Sequence, residues 1–113
     1  MEKRDEKVLN EFYVAGVKFH HLMDCIDEIN TGDCLALRLE PENKYDSNAI
    51  AIEFVRGDGS VVMTGYVPRK FSAQTTAKIT VGKAVFCEVT EINKGAKPWE
   101  RLKVALKEVI PSE

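Results

Sequence analysis

The segment Arg38-Leu-Glu-Pro-Glu-Asn-Lys-Tyr-Asp-Ser-Asn-Ala-Ile50 gathers more side-chain chemistry than any other stretch of the chain. Asn43, Asp46 and Asn48 carry short polar groups that can bond nearby backbone, and Pro41 fixes φ at the entrance, so the loop reads as stiff. Within it, Tyr45 offers a flat face for stacking and Asp46 a hydrogen-bond acceptor. A rigid surface loop without a ligand is the competing reading. On their own, Phe19 reads as a core or rim aromatic and Tyr66 as a strand residue preceding a helix. Arg69 and Lys70 open a helical pattern, where unpaired backbone N–H groups and two cations can receive a phosphate, although solvated surface charge also explains such a pair. Trp99, in Lys97-Pro-Trp-Glu-Arg101, is either a platform beside cations or a ring packed over the end of the fold.

Catalytic and metal chemistry find less support. His20, His21, Asp24 and Cys25 cluster in sequence, as do Glu40, Glu42 and Asp46. Metal ligands must converge on one point, and adjacent residues on a strand point to opposite faces. There is no HExxH or DxD spacing, and no cysteine stands beside a base at a diagnostic interval. The cysteines, Cys25, Cys34 and Cys87, are odd in number and form no CxxC pair, so the expectation is reduced thiols rather than a disulfide framework.

These side chains must be positioned by strands. Leu35, Leu37 and Leu39 alternate with Ala36, Arg38 and Glu40, and Ile50, Ile52 and Phe54 repeat that period of two. Arg56-Gly-Asp-Gly-Ser60 supplies glycines for a hairpin between strands near 49–55 and 61–67. Val85, Cys87 and Val89, then Leu102, Val104 and Leu106, continue the alternation, with a loop at Asn93–Trp99 between them. Phe12–Lys18 supplies a sixth strand. Two segments break the rhythm. Met23–Asn30 predicts a short helix capped by Asp24. Arg69–Val81 predicts a longer one, preceded by Pro68 and followed by Gly82, although Thr75, Thr76 and Thr80 are poor helix formers.

At 113 residues, the length suits one domain, and 44% apolar with 30% charged residues is an ordinary globular balance. The net charge of −2 excludes a protein that coats long nucleic acids by charge alone. It hides an asymmetry: residues 8–56 carry four cations against nine anions, and residues 57–113 carry nine cations against six. No apolar run is long enough to span a bilayer or serve as a signal, so the expected setting is cytoplasmic, with no membrane partner.

Glu40–Ile50, preceded by Val14-Ala-Gly-Val17 and Gly32-Asp33 and followed by Gly65-Tyr-Val-Pro-Arg69, closely resembles the HIRAN domain. The blocks occur in family order and at family spacing, over roughly residues 12–110, leaving a flexible charged leader at 1–11 and a tail at 111–113. The resemblance implies a mainly β fold, a modified OB-like six-stranded β-barrel with one or two short helices. It also implies a non-catalytic module, without cofactor, that recognises the 3′ end of single-stranded DNA in repair, replication-fork processing or mobile-element functions. By position, Lys18 would contact phosphate and Phe19 would stack on a base. Asn43 would bond backbone or base, Tyr45 would supply a second stacking face, and Asp46 would accept a hydrogen bond from the terminal 3′-hydroxyl. Tyr66 stands where a histidine contacts phosphate in the animal domain, and Lys18 replaces an arginine. Glu42 and Lys44 stand where the animal domain has asparagine and proline. With no Walker A motif, the chain reads as a free-standing module acting beside a DNA-processing enzyme encoded elsewhere. Two alternatives stand: a protein-interaction adaptor that keeps the barrel without a DNA groove, and a metal-dependent hydrolase accessory domain.

Overall fold

Each alternating apolar segment forms a strand in the computed structural model, which describes residues 5–111. The strands are β1 (Asp5–Tyr13), β2 (Cys34–Leu39), β3 (Ile50–Val55), β4 (Val61–Tyr66), β5 (Val85–Ile92) and β6 (Leu102–Ile110). They make one antiparallel sheet in the order β1-β6-β5-β2-β3-β4. One face of the sheet closes over Leu22, Ile50, Ile52, Leu102 and Leu106, all fully buried. Each such side chain contributes about 2 kcal/mol by leaving water.

The barrel description holds only loosely, because β1 and β4 are the two edges and share no ladder. The chain beyond β1 reaches β4 at one bridge, where Ala15 and Tyr66 exchange both backbone hydrogen bonds at 2.8 Å. Gly65 permits that approach: a Cβ there would overlap the Ala15 carbonyl oxygen and lie 2.7 Å from Val14 Cγ1. The bulge between Ile52 and Glu53 is also accommodated, since buried Thr64 donates its hydroxyl to the Ile52 carbonyl at 2.7 Å.

Two expectations near the start of the chain are corrected. The leader expected at 1–11 is strand from Asp5 onward, paired with β6 from Asp5↔Ile110 to Tyr13↔Lys103; residues 1–4 lie outside the described residues. Alternating charge disguised a ladder whose partner lies almost a hundred residues away. The strand expected at Phe12–Lys18 ends at Tyr13, and Val17–Phe19 is a 3₁₀ turn entered through Gly16 at φ 70°.

The short helix appears as α1 (Leu22–Cys25) continued by a 3₁₀ turn at Ile26–Glu28, and Asp24 lies inside it rather than capping it. The longer helix, α2, runs Arg69–Thr80, and Gly82 follows it at φ 89°. Its threonines are less unfavourable than propensity implies: Thr75 bonds the Phe71 carbonyl and Thr76 the Asn48 carbonyl, both at 2.9 Å. Phe71 stacks on Phe12 of β1 at 5.5 Å between centroids, and Lys78 donates to Glu108 of β6 at 2.9 Å, so α2 is fixed along its length. Among the described residues, no helix is long and apolar enough to cross a membrane.

Candidate functional site

The loop between β2 and β3 is built as a chain of hydrogen bonds. Asn43 Oδ1 accepts from the backbone N–H of Tyr45 (2.9 Å) and of Asp46 (3.1 Å). Asp46 Oδ1 accepts from the Asn48 N–H at 2.8 Å, and its Oδ2 from the Ser72 hydroxyl of α2 at 2.7 Å. These bonds close successive turns and clamp the loop to the helix, as short polar side chains do in turns.

At the β2 end stands Glu40. Its Oε1 accepts from Asn43 Nδ2 (3.0 Å) and from the Tyr66 hydroxyl (2.7 Å), while its Oε2 pairs with Arg38 Nη1 (3.0 Å). Partial burial pushes the Glu40 carboxyl up, but the bonds from Tyr66 and Asn43 and the Arg38 guanidinium together hold it below the usual value. The Tyr66 phenol is raised by burial and by the Glu40 carboxylate. Asp46 is lowered by the Ser72 hydroxyl, then by the Asn48 N–H, with Arg69 adding charge. His20 meets the Tyr66 ring edge-on at 5.3 Å, and its imidazole is lowered by burial and by neighbouring His21.

This loop forms one wall of a cleft of about 270 Å³, lined by Ala15, Gly16, Asn43, Tyr45, Asp46, Ala49, Tyr66, Val67 and Arg69. Gly16 also borders a second cavity of about 170 Å³, lined with Val17, Lys18, Phe19, Pro98 and Trp99. Three rings rim the two: Tyr45 is 85% exposed, Phe19 79% and Trp99 59%. Lys18 Nζ lies 5.9 Å from the Phe19 centroid and Lys97 Nζ 5.6 Å from that of Trp99. Such a surface presents apolar faces for flat groups, with cations close by for phosphates.

Of the candidate site residues, Asn43, Tyr45, Asp46, Tyr66 and Arg69 share the first cleft, while Lys18 and Phe19 share the second. Lys70 borders neither; its Nζ sits 5.0 Å from the Phe71 ring, because successive residues on a helix point about 100° apart. Glu42 lines a separate hollow with Arg38 and Pro41, outside the main cleft. Sequence reading missed Glu40 and Ser72 as members of the site. Glu40 was signalled by its place between Arg38 and Asn43, whereas Ser72 is 26 residues from Asp46 and carried no local sign.

The histidine and cysteine cluster does not assemble. His21 pairs with Asp24 at 3.2 Å while His20 turns to Tyr66, and among the described residues no group of three His, Cys, Asp or Glu could hold a metal ion. Burial pushes the Cys25 thiol up to about 11 and the Cys87 thiol to about 12, leaving both as unreactive thiols near neutrality.

The HIRAN domain model matches residues 8–112. Two crystal structures share the fold. A protein from Lactobacillus plantarum is 18% identical, with a TM-score of 0.75 over 95% of this chain and 98% of that one. The HIRAN domain of human HLTF is 16% identical, with a TM-score of 0.60 over 88% of this chain and 72% of that one. No curated protein matches the chain at a significant level.

Proposed function

This chain belongs to the HIRAN domain family, a family of nucleic-acid-binding modules, and on that premise we propose that its double cleft binds the 3′ end of single-stranded DNA without catalysis. The observation that carries the reading is the placement of Tyr45 and Phe19, which rank first and second in exposure among the exposed large hydrophobic residues and flank the cleft on either side of Gly16. An exposed ring with nothing to pack against is an unspent stacking surface, worth about 1–3 kcal/mol for each base it receives.

In this reading the terminal nucleotide enters the first cleft, between Tyr45 and Tyr66, with its 3′-hydroxyl donating to Asp46. The preceding base stacks on Phe19, and Trp99 extends the shelf for another. Lys18 and Arg69 neutralise phosphates as the strand crosses Gly16. Asn43 shapes the wall more than it reads the ligand, since its amide is already bonded on both sides. Lys70 contributes only long-range charge. The few cations at the cleft suit recognition of an end rather than of a long strand. The module would act beside a DNA-processing enzyme in repair, fork processing or mobile-element functions.

Fluorescence anisotropy with single strands ending in 3′-hydroxyl or 3′-phosphate, and with blunt duplexes, tests the reading. Tightest binding to the 3′-hydroxyl strand is expected. Equal binding to both single-strand ends removes the terminal-hydroxyl role of Asp46, and no binding to any of the three favours the adaptor alternative.

A further inference from the structure

Glu40 does not line the cleft; it borders the separate hollow that it shares with Arg38 and Glu42. Its carboxylate nevertheless decides what two cleft residues can offer. Arg38 holds Oε2 from the sheet side and is itself fixed by Glu53 of β3 at 3.1 Å, so Oε1 is aimed at Tyr66 and Asn43. An ionised carboxylate only accepts hydrogen bonds. The single hydroxyl proton of Tyr66 therefore points at Glu40, and the phenolic oxygen can meet a ligand only as an acceptor. Asp46, which lines the same cleft, is an acceptor too. A terminus that carries an O–H finds partners there. A phosphate, with added negative charge, meets the Asp46 carboxylate and the Tyr66 oxygen there as fellow acceptors and has Arg69 as its cation.

Resting on the reading of the cleft as a 3′-end site, we propose that Glu40 is the positioning residue that makes the cleft choose a hydroxyl terminus over a phosphate, by drawing the Tyr66 proton away from the ligand. Asn43 is oriented by the same oxygen, so one carboxylate sets the polarity of the floor and the shape of the wall. Glu40→Gln keeps the size of the side chain but places an amide donor in that position. With the amide oxygen kept by Arg38, the glutamine Nε2 donates to Tyr66 and displaces the bond from Asn43 Nδ2, and the Tyr66 proton is free to turn into the cleft towards a phosphate oxygen.

The test is the ratio of dissociation constants for a labelled single strand ending in 3′-phosphate and the same strand ending in 3′-hydroxyl, measured with the whole chain. The unaltered protein is expected to prefer the hydroxyl end by about tenfold, the worth of one good hydrogen bond. Glu40→Gln is expected to bring the ratio to about threefold or less, partly by binding the phosphate end more tightly, which simple damage to the wall would not do. A Glu40→Gln protein that keeps the full preference, or weakens both ends alike, overturns the role of Glu40 while leaving end recognition standing. Equal binding of both ends by the unaltered protein removes the terminal-hydroxyl role of Asp46 and overturns this inference with it. Should Glu40→Gln fail to fold, Tyr66→Phe decides, since it removes only the hydroxyl; an unchanged ratio there also overturns the proposal.

Discussion

The Glu40–Ala49 wall and the shelf made by Val17–Phe19 with Pro98–Glu100 differ in where their polar and apolar groups are spent. In the wall, the side chains of Glu40, Asn43 and Asp46 are all engaged by neighbours at 2.7–3.1 Å, while the Tyr45 ring is left to the solvent. In the shelf, backbone bonds close the turns, Phe19 N–H to Gly16 and Glu100 N–H to Lys97, while both rings stand out beside lysines. The wall is therefore a preformed shape with fixed acceptors, and the shelf is an adaptable stacking surface. A site divided in this way would read the end of a strand with the wall and hold its bases, whatever their sequence, with the shelf.

The most severe way to break this arrangement is at Gly65, where the two sides are joined. Gly65→Val pushes a side chain into Val14 and the Ala15 carbonyl, so wall and shelf should separate; a loss of about 3 kcal/mol or more is expected in denaturant unfolding. Removing the rings spares the fold instead. Phe19→Ala with Tyr45→Ala should weaken binding of a 3′-hydroxyl strand by more than about tenfold in anisotropy titrations. Because both rings are exposed, stability should move by no more than about 0.5 kcal/mol.

Ser72→Ala separates the two sides more finely. It takes a buried hydroxyl from a carboxylate, a bond worth about 1.5–3 kcal/mol, and should lower the melting temperature by several degrees while loosening only the wall. Acid should act on the same wall. The folded values of Glu40 and Asp46 are both depressed, so their contribution is fully present above the ordinary carboxylate range and is lost as pH falls through the folded values, below about pH 4. Melting temperature should drop over that window, and less steeply in Ser72→Ala, where Asp46 has lost its first cause of depression. The smallest effect belongs to Lys18→Ala, which should reduce the salt dependence of binding by about one unit of slope and leave the preference between ends intact.

Much of the architecture was legible because buried sheet faces demand a period of two. β2 to β6 and α2 appear where alternation, Pro68 and Gly82 put them. β1 was misread because most of its residues are exposed, so nothing in Asp5–Glu11 alternates in hydrophobicity. In the site, Tyr45 and Asp46 could be seen as a ring and an acceptor in a stiff loop, and the structure sets Tyr66 and Arg69 around the same cleft. Lys70 could not be separated from Arg69 by sequence, since the step of about 100° between them tells which one faces the cleft only once the orientation of α2 is known.

The sequence by itself determined the strands, the longer helix, the stiffness of the loop and the supply of rings and cations, because these follow from periodicity, backbone preference and side-chain type over a few residues. Only the tertiary structure decided that the sheet stays open but for one bridge at Ala15 and Tyr66, that Ser72 holds Asp46, and that Tyr66 donates its hydroxyl to Glu40. Those bonds join residues 26 or more apart in the chain. Their existence depends on how the sheet curls and where α2 lands, and no local pattern encodes either.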